Sequence, residues 1–527
     1  MKKNLKKILL PVIVAFMLIV VVTGLYINNN SSASGLAKTS NEIAVTSADS
    51  TDIDGVQTTI ALSNDDTEIT GEGAVYKDGV VTISSAGTYT LSGTLDDGQI
   101  NIDVQKGESV VLILNGVTIT NLSDAAIYVT NAGSASIVLA DGTTNVVSSG
   151  EETSTEDASG AAIYSCDDLT ISGNGSLIVN GYINNGIQTK NNLVIESGTI
   201  EVNAVNNGIK GKDSVTISGG TFTITTGGDA IKSNDTTGDG YGVVTISGGT
   251  FTITADDDGI QAYNELNIEG GDITVTQSYE GLEANQINIS GGTIDVTSSD
   301  DGLNANGGSG MNMGQESSTT STKNTNTPNL TVSGGTLTVN AVGDGLDSNG
   351  NIYITGGTII VNGPVGDMDG AIDSGSENGG ECVISGGTIL AAGSSGMAET
   401  FEDTSTQYSI LYYFSETVSA GETILITDSD GNTIYEYVAV KDTSCIVFSS
   451  PDLEEGETYT ISSGDQSEEV TLDSISVTGG TAPTGGMGGG PQGQGGGKPG
   501  QMGQDSDSAP EGFGEMTESA DSESSSN

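Results

Sequence analysis

The sequence predicts an all-β protein built as a parallel β-helix, and two repeated patterns carry this prediction. A phrase such as "GDGLDSNG" (residues 343–350) returns along the chain, and three intervals between its repeating Ile or Leu are 22 residues while one is 21. Each unit also carries a variant of "VTISGGTFTIT", in which two alternating strands flank a Gly-Gly turn. A period of about 22 residues with three short strands is typical of a β-helix coil, which buries its apolar face only against neighbouring coils. The repeating apolar residues are Ile187, Ile209, Ile231, Ile260, Leu282, Leu303, Leu346 and Ile372.

The chain divides by composition into five segments. Residues 1–27 begin with lysines and continue as an apolar run long enough to span a bilayer, so they are interpreted as a signal peptide or an uncleaved membrane anchor. A flexible polar linker is predicted over residues 28–55 and the β-helix over residues 56–396. Residues 397–478 lack the repeat and predict a small β-rich cap, and residues 479–527 predict a disordered, Gly-rich acidic tail. The export signal predicts an extracellular protein, either anchored at the cell surface or secreted.

Composition excludes several functional classes. The chain has 70 acidic residues against 14 lysines, with no arginine and no histidine, and its net charge is −56. Such a charge excludes nucleic acid as a partner, because phosphate contacts need Lys and Arg. The absence of histidine excludes a Ser-His-Asp triad and an HExxH zinc site. We expect a monomer that meets the membrane only through its N-terminal segment.

Acidic and amide residues recur two positions before and one position after the repeating Ile or Leu. Equivalent residues on successive coils lie ~4.8 Å apart, where two carboxylates repel by about 1 kcal/mol even in water. A cation between them removes this cost, and Ca²⁺, with oxygen ligands at about 2.3–2.6 Å, matches the spacing. Alternatively, Asp-Gly and Asn-Gly pairs serve only as turn formers. The candidate Ca²⁺ ligands are Asp229, Asp258, Asp301, Asn304, Asp344, Asp347, Asp369 and Asp373.

Two lysines and three tyrosines are candidate ligand-binding residues. Lys210 and Lys232 occupy the same repeat position on adjacent coils, where they either balance nearby aspartates or meet a sugar carboxylate. Tyr241, Tyr263 and Tyr279 lie near the same turns or in their insertions. Their rings either stack on sugar rings or pack at the surface.

The export segment, the "D-G-[I/L] … ISGGT" coils and the closing "VFSSPDLEEGETYT" before a Gly-rich tail resemble clostridial-type cell-surface carbohydrate-binding proteins. The resemblance covers residues 56–478. It implies a right-handed parallel β-helix similar to polysaccharide lyases, bound Ca²⁺, and cellulose or an acidic polysaccharide such as polygalacturonate as the ligand.

Three functions are consistent with these observations. The first is a surface carbohydrate-binding protein without catalysis, which binds a plant-type polysaccharide with the help of calcium. The second is a calcium-dependent polysaccharide lyase, in which Lys232 removes the proton next to a uronate carboxylate. The third is a structural or adhesive solenoid that binds calcium but no glycan.

Overall fold

The computed structural model describes residues 55–150, 160–238, 240–306 and 327–482. The predicted signal peptide or anchor, nearly all of the linker, residues 307–326 and most of the acidic tail lie outside the described residues; the Ser/Thr/Asn/Met-rich insertion predicted over residues 308–328 falls almost wholly in this gap. In these four ranges no helix combines the length and the apolar character that a membrane-spanning helix needs.

The described ranges contain 40 strands and one 3-10 helix (Ser376–Asn378), which confirms the all-β prediction. The first ten strands are β1 (Val56–Leu62), β2 (Glu68–Thr70), β3 (Ala74–Lys77), β4 (Val80–Ile83), β5 (Gly87–Leu95), β6 (Gln99–Asp103), β7 (Ser109–Asn121), β8 (Ile127–Asn131), β9 (Ser134–Leu139) and β10 (Thr144–Ser149). The next twelve are β11 (Ala161–Ser165), β12 (Leu169–Gly173), β13 (Ser176–Gly181), β14 (Asn185–Thr189), β15 (Asn192–Ile195), β16 (Thr199–Ala204), β17 (Ile209–Gly211), β18 (Ser214–Ile217), β19 (Thr221–Thr226), β20 (Ile231–Ser233), β21 (Val243–Ile246) and β22 (Thr250–Ala255). Eleven more are β23 (Ile260–Ile268), β24 (Asp272–Gln277), β25 (Leu282–Ile289), β26 (Thr293–Thr297), β27 (Leu303–Ala305), β28 (Asn329–Val332), β29 (Thr336–Asn340), β30 (Leu346–Ser348), β31 (Asn351–Asn362), β32 (Ile372–Ser374) and β33 (Cys382–Gly393). The last seven are β34 (Ser409–Val418), β35 (Thr423–Thr427), β36 (Thr433–Val438), β37 (Thr443–Ser449), β38 (Thr458–Ser463), β39 (Gln466–Thr471) and β40 (Ser476–Gly480).

Parallel pairing places equivalent strands of successive repeats side by side. In the middle of the chain each strand pairs with the third strand further along, so β14, β17 and β20 form one stack and β13, β16 and β19 another. Ile187 lies beside Ile209, and Ile209 beside Ile231. The apolar residue of the repeated phrase is therefore in register from coil to coil, as predicted. The right-handed winding stays a prediction.

The core is formed by the alternate residues of each strand. In β19 the buried residues Phe222 and Ile224 alternate with exposed threonines, and Phe222 stacks on Phe251 of the next coil with ring centroids 4.5 Å apart. The Gly-Gly turns need glycine for two different reasons. Gly249 has a positive φ of 106°, and a Cβ on Gly248 would lie 2.6 Å from the carbonyl oxygen of Ser218.

Antiparallel strands close the C-terminal end of the coils. β33 and β34 both pair with β37 in antiparallel register, and β35, β36, β38 and β39 form a separate antiparallel sheet. Lys441 connects this region to the coils, because its Nζ donates hydrogen bonds to the carbonyl oxygens of Ala341, Asn362 (3.2 Å) and Gly363 (3.3 Å). Burial lowers the pKa of Lys441 to about 8, so the ammonium is still the main form at pH 7.

Replacing Lys441 by methionine is expected to lower the free energy of unfolding by about 1–3 kcal/mol, because the buried carbonyl oxygens of Ala341 and Gly363 lose the ammonium donor. Urea denaturation followed by circular dichroism measures this change. Lys106→Met is the matched control, since Lys106 is exposed. Equal stabilities of the two variants would mean that the Lys441 contacts contribute nothing to the closure of the coils.

Candidate functional site

One surface column runs along the residues that follow the repeating Ile or Leu; we call it the outer column. Strand register places its members side by side on successive coils, in the order Tyr128, Tyr164, Gln188, Lys210, Lys232, Gln261, Glu283, Asn304, Asp347 and Asp373. The side chains therefore change along the column from aromatic through amide and cationic to acidic.

A second column lies two positions before the repeating residue; we call it the inner column. Its members are Asn185, Asn207, Asp229, Asp258, Glu280, Asp301 and Asp344. Side-chain oxygens in this column accept hydrogen bonds from the backbone of the next coil: Asp229 N donates to Asn207 Oδ1 (3.1 Å), Asp258 N to Asp229 Oδ1 (3.3 Å) and Asp344 N to Asp301 Oδ1 (2.7 Å). A structural role in the turns thus accounts for one of the two oxygens of each carboxylate, and leaves the second oxygen to be explained.

The other oxygen of several inner-column residues meets a donor of the outer column, three residues later in the same coil. Lys232 Nζ lies 2.7 Å from Asp229 Oδ2, and Gln261 Nε2 donates to Asp258 Oδ2 at 2.8 Å. Asn304 Nδ2 lies 3.4 Å from Asp301 Oδ2. On these coils a cationic or amide group of the protein compensates the carboxylate.

Two coils depart from this pattern, because they carry carboxylates in both columns: Glu280 with Glu283, and Asp344 with Asp347. They belong to a chain of overlapping carboxylate groups, in each of which the ligand oxygens lie within 4.8 Å of one another. The groups found among the described residues are Asp229–Asp257–Asp258, Asp258–Glu280–Glu283, Glu280–Asp300–Asp301 and Asp301–Asp344–Asp347. We call this chain of groups the acidic ridge.

The middle of the acidic ridge is electrostatically unfavourable in the absence of a cation. Burial raises the pKa of Asp258 well above its usual range, and the charges of Glu283, Asp229 and Glu280 add to this effect. Burial also raises the pKa of Glu280 well above its usual range, with further contributions from the charges of Glu283 and Asp301. Because these neighbouring carboxylates disfavour each other's ionisation, a cation bound between them would stabilise their ionised forms.

Two orphaned oxygens indicate where a cation fits. Glu280 Oε2 and Asn304 Oδ1 are buried and have no hydrogen-bond partner among the described residues, although Asn304 Nδ2 donates to Glu280 Oε1 at 3.0 Å. The Asn304 side chain is held in place by this bond and is only 7% exposed. A buried oxygen without a partner costs about 1–3 kcal/mol, which a bound ion offsets. The donors are all oxygens, which hard divalent cations prefer.

Most of the predicted metal ligands lie in this arrangement. Five of them belong to the carboxylate groups, namely Asp229, Asp258, Asp301, Asp344 and Asp347, and Asn304 contacts Glu280 and Asp301. Asp373 pairs in register with Asp347, but neither Asp369 nor Asp373 belongs to a group found among the described residues.

Four acidic residues of the ridge were not among the predicted ligands: Asp257, Glu280, Glu283 and Asp300. Sequence signals for all four exist. Glu280 and Glu283 place acid in both columns of one coil, and Asp257 and Asp300 belong to the Asp-Asp pairs at 257–258 and 300–301.

The predicted sugar-binding residues divide into two groups. Lys210 and Lys232 are adjacent in the outer column, and Tyr279 directly precedes Glu280, with 36% of its surface exposed. A hydrogen bond to Asp300, together with burial, raises the pKa of Tyr279 and places this residue beside the acidic ridge. Tyr241, 43% exposed, lies in the loop before β21, and Tyr263 lies in β23; neither belongs to the two columns.

The sequence did not predict an aromatic pair at the other end of the outer column. The rings of Tyr128 and Tyr164 meet edge to face with centroids 5.4 Å apart, and Lys190 Nζ lies 5.8 Å from the Tyr164 ring centroid. Their strand register could have been inferred only by extending the repeat toward the N-terminus beyond its clear period.

Residues 77–325 match a family model described as carbohydrate-binding domain-containing protein. A carbohydrate-binding domain-containing protein of Acetivibrio thermocellus is 48% identical over 128 residues, which are 24% of this chain and 45% of that protein's length. A solved structure, the polysaccharide lyase-like protein from C. thermocellum as a gadolinium derivative, is 44% identical with a TM-score of 0.41, over 42% of this chain and 90% of that one. Part of this chain is therefore similar to the carbohydrate-binding domain-containing protein family, and the chain spans about half the length of the curated relative it matches.

Proposed function

We propose that the protein is an extracellular, cell-surface carbohydrate-binding protein that recognises a plant-type polysaccharide, acidic or cellulosic, with the help of calcium and without catalysis. The scaffold would be a right-handed parallel β-helix with coils of about 22 residues. The observation that carries the proposal is the acidic ridge with its orphaned oxygens, in a chain whose residues 77–325 match a carbohydrate-binding family model.

Calcium suits the ridge better than magnesium. Ca²⁺ accepts six to eight oxygen ligands in flexible geometry, whereas Mg²⁺ demands a small, regular octahedron. The residues that would hold Ca²⁺ around the Glu280 coil are Asp258, Glu280, Glu283, Asp301 and Asn304. Calcium bound there supplies positive charge at a surface that otherwise repels a polyuronate.

The neighbouring side chains suit a sugar ligand. The half-exposed Tyr279 offers an aromatic face beside the ridge. Lys210 lies in the outer column, on the N-terminal side of the ridge. A uronate carboxylate would be attracted by Lys210 and by the bound calcium, and a neutral glucan by hydroxyl contacts and stacking on Tyr279. Tyr241 and Tyr263 would contribute only at the edge of this surface.

The environment of Lys232 supports binding without catalysis. A lyase base has to reach the substrate proton, but the Lys232 side chain is 9% exposed and paired with Asp229, which is 1% exposed. The ammonium would have to leave a buried carboxylate in order to reach a substrate. The lyase alternative predicts an unsaturated, ultraviolet-absorbing product from polygalacturonate, and we expect none.

Retention of the chain from residue 28 onward on polygalacturonate and on cellulose tests the proposal, with calcium and then with chelator. We expect retention with calcium that chelation reduces at least about tenfold, the lower end of what an altered metal site loses. Retention that is indifferent to calcium would move the site to the tyrosines and the neutral Thr/Asn surface. Calcium binding without retention on either polymer would favour the structural solenoid.

A further inference from the structure

Lys232 is the point at which the outer column changes from cationic to amide and acidic. It lies in register with Lys210 on one side and with Gln261 on the other. Its own coil carries Asp229 in the inner column, whereas the inner-column residue of the Lys210 coil is the neutral Asn207. Lys232 therefore stands beside the first buried carboxylate of the acidic ridge.

Like each group further along the ridge, the Asp229 group consists of three carboxylates. Oxygens of Asp229, Asp257 and Asp258 lie within 4.8 Å of one another. Asp229 Oδ1 accepts the backbone N–H of Asp258, and the buried Oδ2 faces the side chain of Lys232. The ammonium of Lys232, 2.7 Å from this Oδ2, supplies the compensating charge.

We propose that Lys232 is a built-in cation, and that the Asp229–Asp257–Asp258 group is a latent divalent-cation site that the ammonium occupies. The positive charge at this end of the ridge then belongs to the chain and does not depend on the calcium concentration. The inference goes beyond carbohydrate binding, and it rests on the proposed function only in the choice of calcium as the ion.

Removing the ammonium leaves a buried carboxylate without compensation, which is strongly destabilising unless another cation enters. Lys232→Met is therefore expected to lose at least about 3 °C of melting temperature in chelator. With calcium the variant should recover the loss and bind one more ion than the wild-type chain. Thermal unfolding and calorimetric titration with CaCl₂ of the chain from residue 28 onward measure the two effects.

The double variant Asp229→Asn with Lys232→Met is the matched control. Asparagine is the inner-column residue of the two preceding coils, so the fold accommodates it there, and the double variant buries no unpaired charge. It should melt in chelator within about 1 °C of the wild-type chain and bind no additional calcium.

The outcomes separate this proposal from the proposed function. An additional ion in Lys232→Met supports the latent site even if the protein binds no polysaccharide, and also if the wild-type chain binds no calcium. The proposal is overturned if calcium stabilises Lys232→Met no more than the wild-type chain, or if the double variant gains the same additional ion. If Lys232→Met does not fold in chelator but folds with calcium, the proposal is supported.

Discussion

Replacing Glu280 by glutamine is expected to stabilise the protein in chelator and to weaken its calcium binding by about 10–100-fold or more. The carboxylate of Glu280 lies within 4.8 Å of carboxylate oxygens in both neighbouring groups of the ridge, and its Oε2 has no hydrogen-bond partner among the described residues. Two charges about 4 Å apart interact by about 1 kcal/mol in water and about 4 kcal/mol near a protein surface. The free energy of unfolding in chelator should therefore rise by about 1–4 kcal/mol.

The substitution also places an amide group opposite a carboxylate on this coil, with the two columns exchanged relative to the other coils. On the coils of Asp258 and Asp301, an amide group of the protein donates to a carboxylate oxygen of the ridge. A glutamine at position 280 would bring such a donor to the orphaned position. The same change removes one ligand, and because even the loss of a hydrogen bond to a ligand costs about 10–100-fold in metal affinity, a lost ligand costs at least as much.

Urea denaturation in chelator and calorimetric titration with calcium measure the two effects of Glu280→Gln. Glu265→Gln is the matched control: Glu265 accepts a hydrogen bond from Asn288 at 3.0 Å and lies outside the carboxylate groups, while the net charge changes equally. We expect both properties of the control to remain unchanged. A Glu280→Gln variant that is less stable than the wild-type chain in chelator, or that binds calcium as tightly, would contradict the assignment of a calcium site to the Glu280 coil.

Calcium is expected to reverse the dependence of melting temperature on pH between about pH 5 and pH 7. In the folded state the pKa values of Asp258 and Glu280 lie well above their usual range, while in the unfolded state they return to about 4. Between these values the folded state holds more protons than the unfolded state. Stability in chelator should therefore fall from pH 5 to pH 7 as these carboxylates ionise in the folded state.

Calcium reverses the sign of this pH dependence because it binds the ionised carboxylates and competes with protons. At a calcium concentration 100-fold above the dissociation constant, one bound ion adds about 2.7 kcal/mol of stability, and this gain grows as the pH rises. Thermal unfolding at pH 5, 6 and 7, in chelator and in calcium, measures both slopes.

Magnesium at equal concentration controls for screening of the net charge of −56, and we expect it to stabilise the chain less than calcium does. A melting temperature that rises with pH in chelator would contradict the raised pKa values. Equal effects of magnesium and calcium would show that the ridge is screened rather than occupied.

Much of the fold could be predicted from the repeat. The pairing of Ile187 with Ile209 and of Ile209 with Ile231 follows directly from the 22-residue interval. The register also survives long insertions, since Leu303 pairs with Leu346 although residues 307–326 lie between them. Buried apolar residues have to stack on their equivalents, so added chain is accommodated between strands rather than within the stack.

The sequence by itself determined the all-β class, the register of the coils and the two columns of acidic and amide residues, because each depends on a spacing that repeats along the chain. The tertiary structure alone decided that Lys232 is paired with Asp229, that Glu280 and Asn304 keep orphaned oxygens, and that Tyr279 meets Asp300 of the next coil. The inner column carries a carboxylate both on coils where an outer-column donor compensates its charge and on coils where no such donor is present. Only burial and interatomic distance distinguish a carboxylate that the protein satisfies from one that a cation would stabilise.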